Sequence, residues 1–157
     1  MFTYLLLLII YIYMTYKGKY KPKHPEKYAG DADNITYRSL WELRVMKYLD
    51  DNTAVLSWAS EELAIPYISP VDNRPHRYFP DFIVKARTKE GGVQTMLLEV
   101  KPKAQTKEPK KPKRRTKRYL TEVMTWGVNQ AKWKAAMEFC ADRKWVFKLI
   151  TEDELGL

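Results

Sequence analysis

The sequence has 157 residues, one cysteine and a formal net charge of +9, from 28 basic and 19 acidic side chains. Its length suits a single domain with a real hydrophobic core, and its 45% hydrophobic content indicates a folded α/β or α+β protein rather than a disordered chain. Because there is only one cysteine, an intramolecular disulfide and a thiolate metal site are both excluded.

The first 16 residues form an apolar run without a charged side chain, MFTYLLLLIIYIYMTY. As a helix this run would be about 24 Å long, shorter than the roughly 30 Å hydrocarbon core of a bilayer. We consider three interpretations, in order of preference: a misplaced translation start with the native chain beginning at Met14, a membrane anchor, and a packed apolar helix. We expect a membrane association only if the run is a true anchor, and the lysine-rich flank would then keep the domain in the cytoplasm.

Residues 17–34 follow as a segment rich in lysine, proline and glycine with interleaved tyrosines. This composition predicts a basic extended arm. The arm either touches a nucleic-acid backbone or stays solvated. Residues 35–157 then form one domain.

The stretch 35–49 has apolar residues at helical spacing, which predicts an amphipathic helix. Glu42 lies beside the apolar stripe, where its carboxylate can reach over the edge of a sheet. In the alternative interpretation, Ser39 and Glu42 form a capping box and Glu42 binds only the Ser39 amide. Because Tyr37 already belongs to the apolar stripe, we expect the helix to begin before Ser39, which favours a role for Glu42 in a site.

After two short predicted strands at 55–58 and 65–68, residues 78–101 contain two apolar runs around Lys-Glu-Gly-Gly. Apolar runs flanking a glycine turn are typical of a β-hairpin. A loop centred on Glu90 pairs residues equally distant from it, so Asp81 lies opposite Glu99 with Cβ atoms about 5 Å apart. Alternation along the strand places Lys101 on the same face as Glu99.

Two opposed carboxylates repel each other unless a cation lies between them. Mg²⁺ is the expected cation, with Mn²⁺ as an alternative, because hard divalent ions bind oxygen ligands. The candidate ligands are Asp81, Glu99, the carbonyl of Val100 and, with less support, Glu42. The alternative is two unrelated strand ends with solvated charges, and Pro80 argues against it by holding the chain extended at Asp81.

Residues 101–118, which we call the basic segment, contain 10 of the 28 basic residues and one acid, Glu108. Prolines and like charges predict a mobile loop without helix or strand, directly after the proposed metal site. Such a loop can neutralise DNA phosphates. An acidic protein partner and a localisation tract are the alternatives. The candidate DNA-binding residues are Lys103, Lys107, Lys110, Lys111, Lys113, Arg114, Arg115, Lys117 and Arg118.

Residues 117–144 return to helical spacing and predict a long helix that Gly127 and Asn129 could kink or split. The predicted seam against the sheet consists of Tyr119, Val123, Trp126, Gln130, Trp133, Met137 and Cys140. Gln130 is its only polar member and is either an auxiliary residue of the active site or a satisfied core amide. A closing strand at 145–150 and a polar, frayed end complete the chain.

These motifs resemble the PD-(D/E)xK nuclease superfamily: a glutamate on a helix, then Pro80-Asp81 on one strand and Glu99-Val100-Lys101 on the next. A closer likeness covers nearly all of the chain after the apolar run. The segments YRSLWELRVMKYLD, HRYFPDF, EVKPK with its basic continuation, and WGVNQAKWKAA resemble the head completion nucleases of large contractile-tailed phages. Residues 1–13 have no counterpart in that pattern, which favours Met14 as the start.

The resemblance implies a restriction-endonuclease-like α/β (α+β) fold, a mixed β-sheet flanked by helices. It also implies a Mg²⁺-dependent deoxyribonuclease that acts in head completion and head-tail joining, in the host cytoplasm or on the virion. Asp81 and Glu99 would bind the metal, Lys101 would orient water or offset charge, Glu42 would hold a second ion or a water, and Gln130 would orient substrate. The implied partners are double-stranded DNA and phage head, portal or neck proteins.

Two other functions stay open at this point. One is a structural head or neck protein that binds DNA without cleaving it, and the other is an endonuclease of the same fold in transposition or repair. The complete set of Glu42, Asp81, Glu99 and Lys101 argues against the first, because binding a polyanion does not require opposed carboxylates.

Overall fold

A computed structural model describes residues 4, 5, 8 and 16–156. The three interpretations of the apolar run fall almost entirely on residues outside this range. Within it, no helix is both long and apolar enough to cross a membrane.

The described chain is built around one mixed sheet of four strands. In chain order the elements are β1 (Gly18–Tyr20), β2 (Ile35–Tyr37), α1 (Leu40–Asp51), β3 (Val55–Ser60), β4 (Ile65–Ile68), β5 (Pro75–Tyr78), β6 (Phe82–Arg87), β7 (Val93–Val100), α2 (Lys117–Arg143), β8 (Val146–Ile150) and α3 (Glu152–Leu155). The sheet has the order β3-β6-β7-β8, with antiparallel pairs except between β7 and β8, which are parallel. β1 pairs with β2 and β4 with β5 as separate two-stranded sheets.

The two long helices cover opposite faces of this sheet. Leu98 and Val100 of β7 lie in a core with the apolar face of α1, whereas Leu97 packs in a second core with Trp133 and Cys140 of α2. Consecutive residues of a strand point to opposite faces, so one strand contributes to both cores. The predicted mixed sheet flanked by helices is therefore confirmed.

The hairpin of β6 and β7 has the predicted register. Phe82 pairs with Leu98 and Arg87 pairs with Val93, so Asp81 and Glu99 stand at the next position beyond the last pair. The loop is closed by the Thr88 amide, which donates to the Gly92 carbonyl at 2.9 Å. The predicted strand pairing and the predicted loop of the hairpin are therefore both correct.

The predicted start of the first helix is wrong. Ile35–Tyr37 is strand β2, and α1 begins at Leu40 with Ser39 as its N-cap, whose hydroxyl accepts the Glu42 amide at 3.0 Å. Ile35 and Tyr37 look like part of a helical stripe because they face the same core as α1. Pairing with β1, more than ten residues away, decides their conformation.

The predicted basic arm at 17–34 is folded onto the domain rather than solvated. Asp50, at the end of α1, is fully buried and accepts the Tyr20 hydroxyl at 2.8 Å, the Lys23 amide at 2.7 Å and the His24 amide at 3.1 Å. Lys27 donates to the carbonyls of residues 49, 50 and 52. A lysine on the last carbonyls of a helix satisfies acceptors that have no partner within the helix.

The basic segment and the C-terminus are also more ordered than predicted. Lys103–Thr106 forms a turn of 3-10 helix. The Lys103 ammonium pairs with Asp153 at 2.7 Å, and its amide donates to Glu152 at 2.8 Å. Residues Glu152–Leu155 form helix α3, with a capping box from Thr151, and are not frayed as predicted.

The helix α2 runs without interruption through Gly127 and Asn129, and its buried seam differs from the prediction. The buried residues are Asn129, Trp133, Ala136 and Cys140, whereas Met137 is 53% exposed. Positions three or four residues apart can belong to either of two adjacent stripes on a helix. The predicted seam therefore contains Gln130 and Met137, where the structure buries the preceding residues Asn129 and Ala136.

Candidate active site

Asp81 and Glu99 meet at the ends of two neighbouring strands. Asp81 directly precedes β6, and its Oδ2 accepts the amide of Val100 at 2.7 Å. Because Val100 follows Glu99, this hydrogen bond joins the two strand ends at the level of the two carboxylates. The Lys101 amide donates in turn to the Ile150 carbonyl of β8 at 2.9 Å, so three strands fix the backbone here.

Glu99 is a buried carboxylate with two partners. It is 5% exposed, accepts the hydroxyl of Tyr78 at 2.7 Å, and pairs with the Lys101 ammonium at 3.2 Å. Strand alternation places Lys101 on the face of Glu99, as predicted. The predicted cluster of an aspartate, a glutamate and a lysine at one end of the hairpin is therefore present.

Glu42 approaches this cluster from the first turn of α1. Its Oε2 accepts the Arg38 amide at 2.8 Å, one residue before the Ser39 amide that a capping box would use. The Ser39 half of the capping box is present, but the Glu42 carboxylate does not bind the Ser39 amide, and its role in a site stays a prediction. The side chain is partly buried and close enough for its charge to act on Asp81.

The electrostatics of the cluster favour a cation beside Asp81. Burial first, and then the charges of Glu99 and Glu42, raise the pKa of Asp81 well above its ordinary value. Burial also raises the pKa of Glu42. Burial acts to lower the pKa of Lys101, but Glu99 and Asp81 outweigh it and raise that pKa, so the lysine stays charged. One lysine does not compensate three carboxylates.

The donor set is one that hard cations prefer, although it is not a preformed cage. In the part of the chain that the structure describes, no three His, Cys, Asp or Glu side chains form a metal-binding group. The charges of Glu99 and Glu42, which help to raise the pKa of Asp81, are nevertheless of the kind that Mg²⁺ or Mn²⁺ would neutralise, with carboxylate and carbonyl oxygens as ligands. Asp81, Glu99 and the Val100 carbonyl thus fit such an ion in chemistry, and Glu42 adds a further carboxylate.

Two features of the site were missed by sequence reasoning. Tyr78 lies in the segment HRYFPDF, three residues before Asp81, yet its role as hydrogen-bond donor to Glu99 depends on a contact between two strands. Arg38 makes a two-pronged pair with Glu61, at 3.0 and 3.1 Å. Glu61 has a left-handed φ of 54°, and its amide donates to the Asp81 carbonyl at 3.1 Å. A strained backbone next to a cluster of charges is common at functional sites.

Comparison with known proteins places this cluster in a family. Residues 52–152, more than half of the chain, match the family described as TnsA-like endonuclease N terminal. The chain belongs to this family. The matched range includes Tyr78, Asp81, Glu99 and Lys101, and it begins after Glu42.

The chain is also similar to a phage protein over nearly its whole length. It is 40% identical over 146 residues to the head completion nuclease of Enterobacteria phage T4, covering 90% of this chain and 95% of that protein. No solved structure matches. The resemblance to PD-(D/E)xK nucleases and to head completion nucleases is confirmed by these two findings.

The predicted DNA-binding side chains differ in how they are engaged. Lys103 and Arg118 are held by acids of the chain itself, Arg118 by Glu122 at 2.9 Å. The others are exposed and form no ion pair among the described residues. They are Lys107, Lys110, Lys111, Lys113, Arg114, Arg115 and Lys117. Seven cations are thus available to an external anion.

Gln130 is partly buried, and its side chain makes no hydrogen bond to any described residue. The neighbouring amide of Asn129 is the deeper one, at 7% exposed. The auxiliary role that sequence reasoning gave to Gln130 stays a prediction.

Proposed function

We propose that this protein is a metal-dependent DNA endonuclease that acts in phage head completion and head-tail joining during virion assembly. The observation that carries the proposal is the cluster of Asp81, Glu99 and Lys101 at the ends of two paired strands, inside the range that matches an endonuclease family. The assignment to head completion rests on the similarity to the phage T4 protein of that name.

Asp81 and Glu99 would hold the metal, with the carbonyl of Val100 and, for a second ion or a water, Glu42. Mg²⁺ is the preferred ion and Mn²⁺ the alternative. Such an ion supplies Lewis-acid polarisation of a phosphate and lowers the pKa of a bound water.

The chain itself supplies position and charge. Tyr78 and Lys101 hold the Glu99 carboxylate between them, so its orientation is set before substrate binds. The raised pKa of Lys101 keeps its ammonium protonated near the scissile phosphate, where it orients water or offsets the developing negative charge. The exposed cations of the basic segment contact the phosphates of double-stranded DNA. Partners among head, portal or neck proteins follow from the same role, in the host cytoplasm or on the virion.

The decisive experiment incubates supercoiled plasmid with purified protein and Mg²⁺, with and without EDTA. We expect nicked or linear plasmid only when Mg²⁺ is available. Removing a hydrogen-bond partner of a metal ligand lowers activity roughly 10–100-fold. Removing a ligand itself should cost more, so Asp81→Ala should lower cleavage by about 100-fold or more while DNA binding is retained. Lys101→Ala should also abolish cleavage.

Asp142→Ala is the matched control, because the side chain of this exposed aspartate of α2 has no hydrogen bond or ion pair among the described residues. It should cleave like the wild type. An intact plasmid with the wild type would favour a structural DNA-binding protein, and continued cleavage by both Asp81→Ala and Lys101→Ala would remove the proposed site.

The role in assembly needs a separate assay. Adding the protein to DNA-filled, tailless heads together with tails should increase the number of infectious particles. Asp81→Ala should give no increase, since the proposal requires cleavage. An equal increase with both proteins would mean that head completion is structural rather than enzymatic.

A further inference from the structure

A groove lies between the basic segment and the N-terminal half of α2. It has a volume of about 400 Å³, and its lining includes Gln105, Lys107, Arg118, Trp126 and Asn129. Sites for small ligands and cofactors typically measure roughly 300–1,000 Å³. The groove is therefore large enough for one nucleotide unit and shares no lining residue with the carboxylate cluster.

The floor of the groove carries polar groups without partners. Asn129 is 7% exposed, yet its side chain makes no hydrogen bond to any described residue. The indole nitrogen of Trp126 has no partner among the described residues either, but it is fully buried, so Trp126 offers its ring to the groove and not its N–H. The amide of Asn129 is not among the fully buried unpaired groups, so it stays accessible from the groove. The floor thus offers one amide, which both donates and accepts.

Two other indoles, of Trp58 and Trp133, are likewise unpaired, but they lie in the two hydrophobic cores and do not line the groove.

The rim of the groove carries a net positive charge, from Lys107, Arg118 and the acidic Glu122. Lys107 is exposed and forms no ion pair among the described residues, and Arg118 shares its charge with Glu122. A ligand that suits the whole groove therefore has an anionic part at the rim and a planar, hydrogen-bonding part inside. A nucleotide has this combination, with its phosphate at Lys107 and its base against Asn129 and Trp126.

The groove lies near the carboxylate cluster along the chain. Gln105 follows Lys101 by four residues, which span at most about 14 Å between Cα atoms. DNA rises about 3.4 Å per nucleotide along one strand. A strand that passes Lys101 therefore reaches the groove within about four nucleotides.

The depth of Asn129 decides what form of DNA can use the groove. In a duplex the Watson-Crick edges of the bases are paired and the bases are stacked, so they cannot enter a recess. An unpaired base can enter, stack on an aromatic ring and present its free edge to an amide.

We propose that this groove binds an unpaired DNA base within about four nucleotides of the cleaved phosphate. The substrate is then DNA with a single-stranded tail or branch next to the cut, rather than continuous duplex alone. This inference rests on the proposed function, and it adds the class of DNA structure that the same site recognises.

Binding in EDTA tests the inference without cleavage. The probes are a labelled duplex, the same duplex with a short single-stranded tail, and the tailed duplex in which the tail lacks bases, compared by fluorescence anisotropy. Stacking one base contributes about 1–3 kcal/mol, so we expect the wild type to bind the tailed duplex roughly tenfold more tightly than the other two.

Asn129→Leu, which keeps a similar volume, should remove this preference and leave duplex affinity unchanged; circular dichroism checks its fold. A second pair of variants does not depend on that residue. Lys107→Ala should weaken binding of the tailed duplex more than that of the plain duplex. Lys110→Ala, a basic-segment lysine that does not line the groove, should weaken both equally.

Equal affinity of the wild type for all three DNAs overturns the inference and leaves the proposed function standing. Equally tight binding of the two tailed duplexes, with and without bases, would also overturn the inference, because the protein would then recognise only the phosphates of the tail. Failure to bind any of the three DNAs would overturn the proposed function as well.

Discussion

Replacing Tyr78 by phenylalanine removes a single oxygen atom from the candidate site. That hydroxyl donates to Glu99 at 2.7 Å, and the two residues are 3% and 5% exposed, so water cannot easily replace it. A hydrogen bond to a charged group contributes about 1.5–3 kcal/mol to stability. For a protein of this size we expect the melting temperature of Tyr78→Phe to fall by roughly 3–12 °C.

The same variant should also cleave DNA more slowly, because Glu99 keeps only Lys101 as a partner. Removing a hydrogen-bond partner of a metal ligand typically lowers metal affinity or activity by roughly 10–100-fold. The measurement is the plasmid cleavage rate as a function of Mg²⁺ concentration. We expect the Mg²⁺ concentration for half-maximal cleavage to rise, the rate at saturating Mg²⁺ to fall, or both.

Tyr67→Phe provides a matched control on the neighbouring strand. The Lys132 ammonium lies 5.8 Å from the Tyr67 ring and 5.7 Å from the Tyr78 ring, but only the Tyr78 hydroxyl has a hydrogen-bond partner. Equal losses of melting temperature in the two variants would refute the reasoning, and so would unchanged cleavage by Tyr78→Phe.

Three further outcomes follow from the charged groups. Burial acts to raise the pKa of Asp50, but hydrogen bonds, first from the Lys23 amide, outweigh it and lower that pKa. The stabilisation by Asp50 is therefore present above the unfolded pKa of about 3.9 and is lost as the pH falls through the folded pKa. Asp50→Asn should lower the free energy of unfolding by about 2 kcal/mol at pH 7 and show a flatter acid unfolding profile. The pKa of Asp81 is raised, so the folded wild type loses stability as the pH rises from the unfolded pKa of this group. In EDTA, Asp81→Asn should melt at a higher temperature than the wild type at neutral pH and at the same temperature near pH 3. A lower melting temperature of the variant at neutral pH would contradict the raised pKa of Asp81. Replacing the five basic residues within 110–115 by glutamine should reduce the slope of log affinity against log salt by at most about 4.5, and an unchanged slope would mean that DNA binds elsewhere.

The hairpin could be predicted from the sequence because its information is local. Strand alternation has a period of two, and the glycine turn fixes the centre, so the register that aligns Asp81 with Glu99 follows from counting. The Glu99 and Lys101 pair needs no more than this. The mixed sheet with flanking helices is likewise visible in the periodicity of each segment.

Contacts between distant segments could not be predicted in the same way. Ile35–Tyr37 forms a strand only because β1 lies beside it, and composition alone made residues 17–34 look like a solvated arm. The hydroxyl of Tyr78 finds Glu99 across two strands that are far apart in sequence. In α2, the sequence predicts Gln130 as the polar residue of the buried seam, whereas the structure buries Asn129, because both positions have apolar neighbours at helical spacing.

The attachment of Lys103 to α3 has a thermodynamic consequence for DNA binding. With Lys103–Thr106 folded as a helical turn and α2 beginning at Lys117, only residues 101–102 and 107–116 of the basic segment remain without helix or strand. Fixing the backbone of one residue opposes binding by about 1–2 kcal/mol, so anchoring the first part of the basic segment removes several such penalties before DNA arrives. Truncating α3 should therefore make association with DNA entropically less favourable, even though α3 itself is acidic and touches no DNA in the proposed mode of binding.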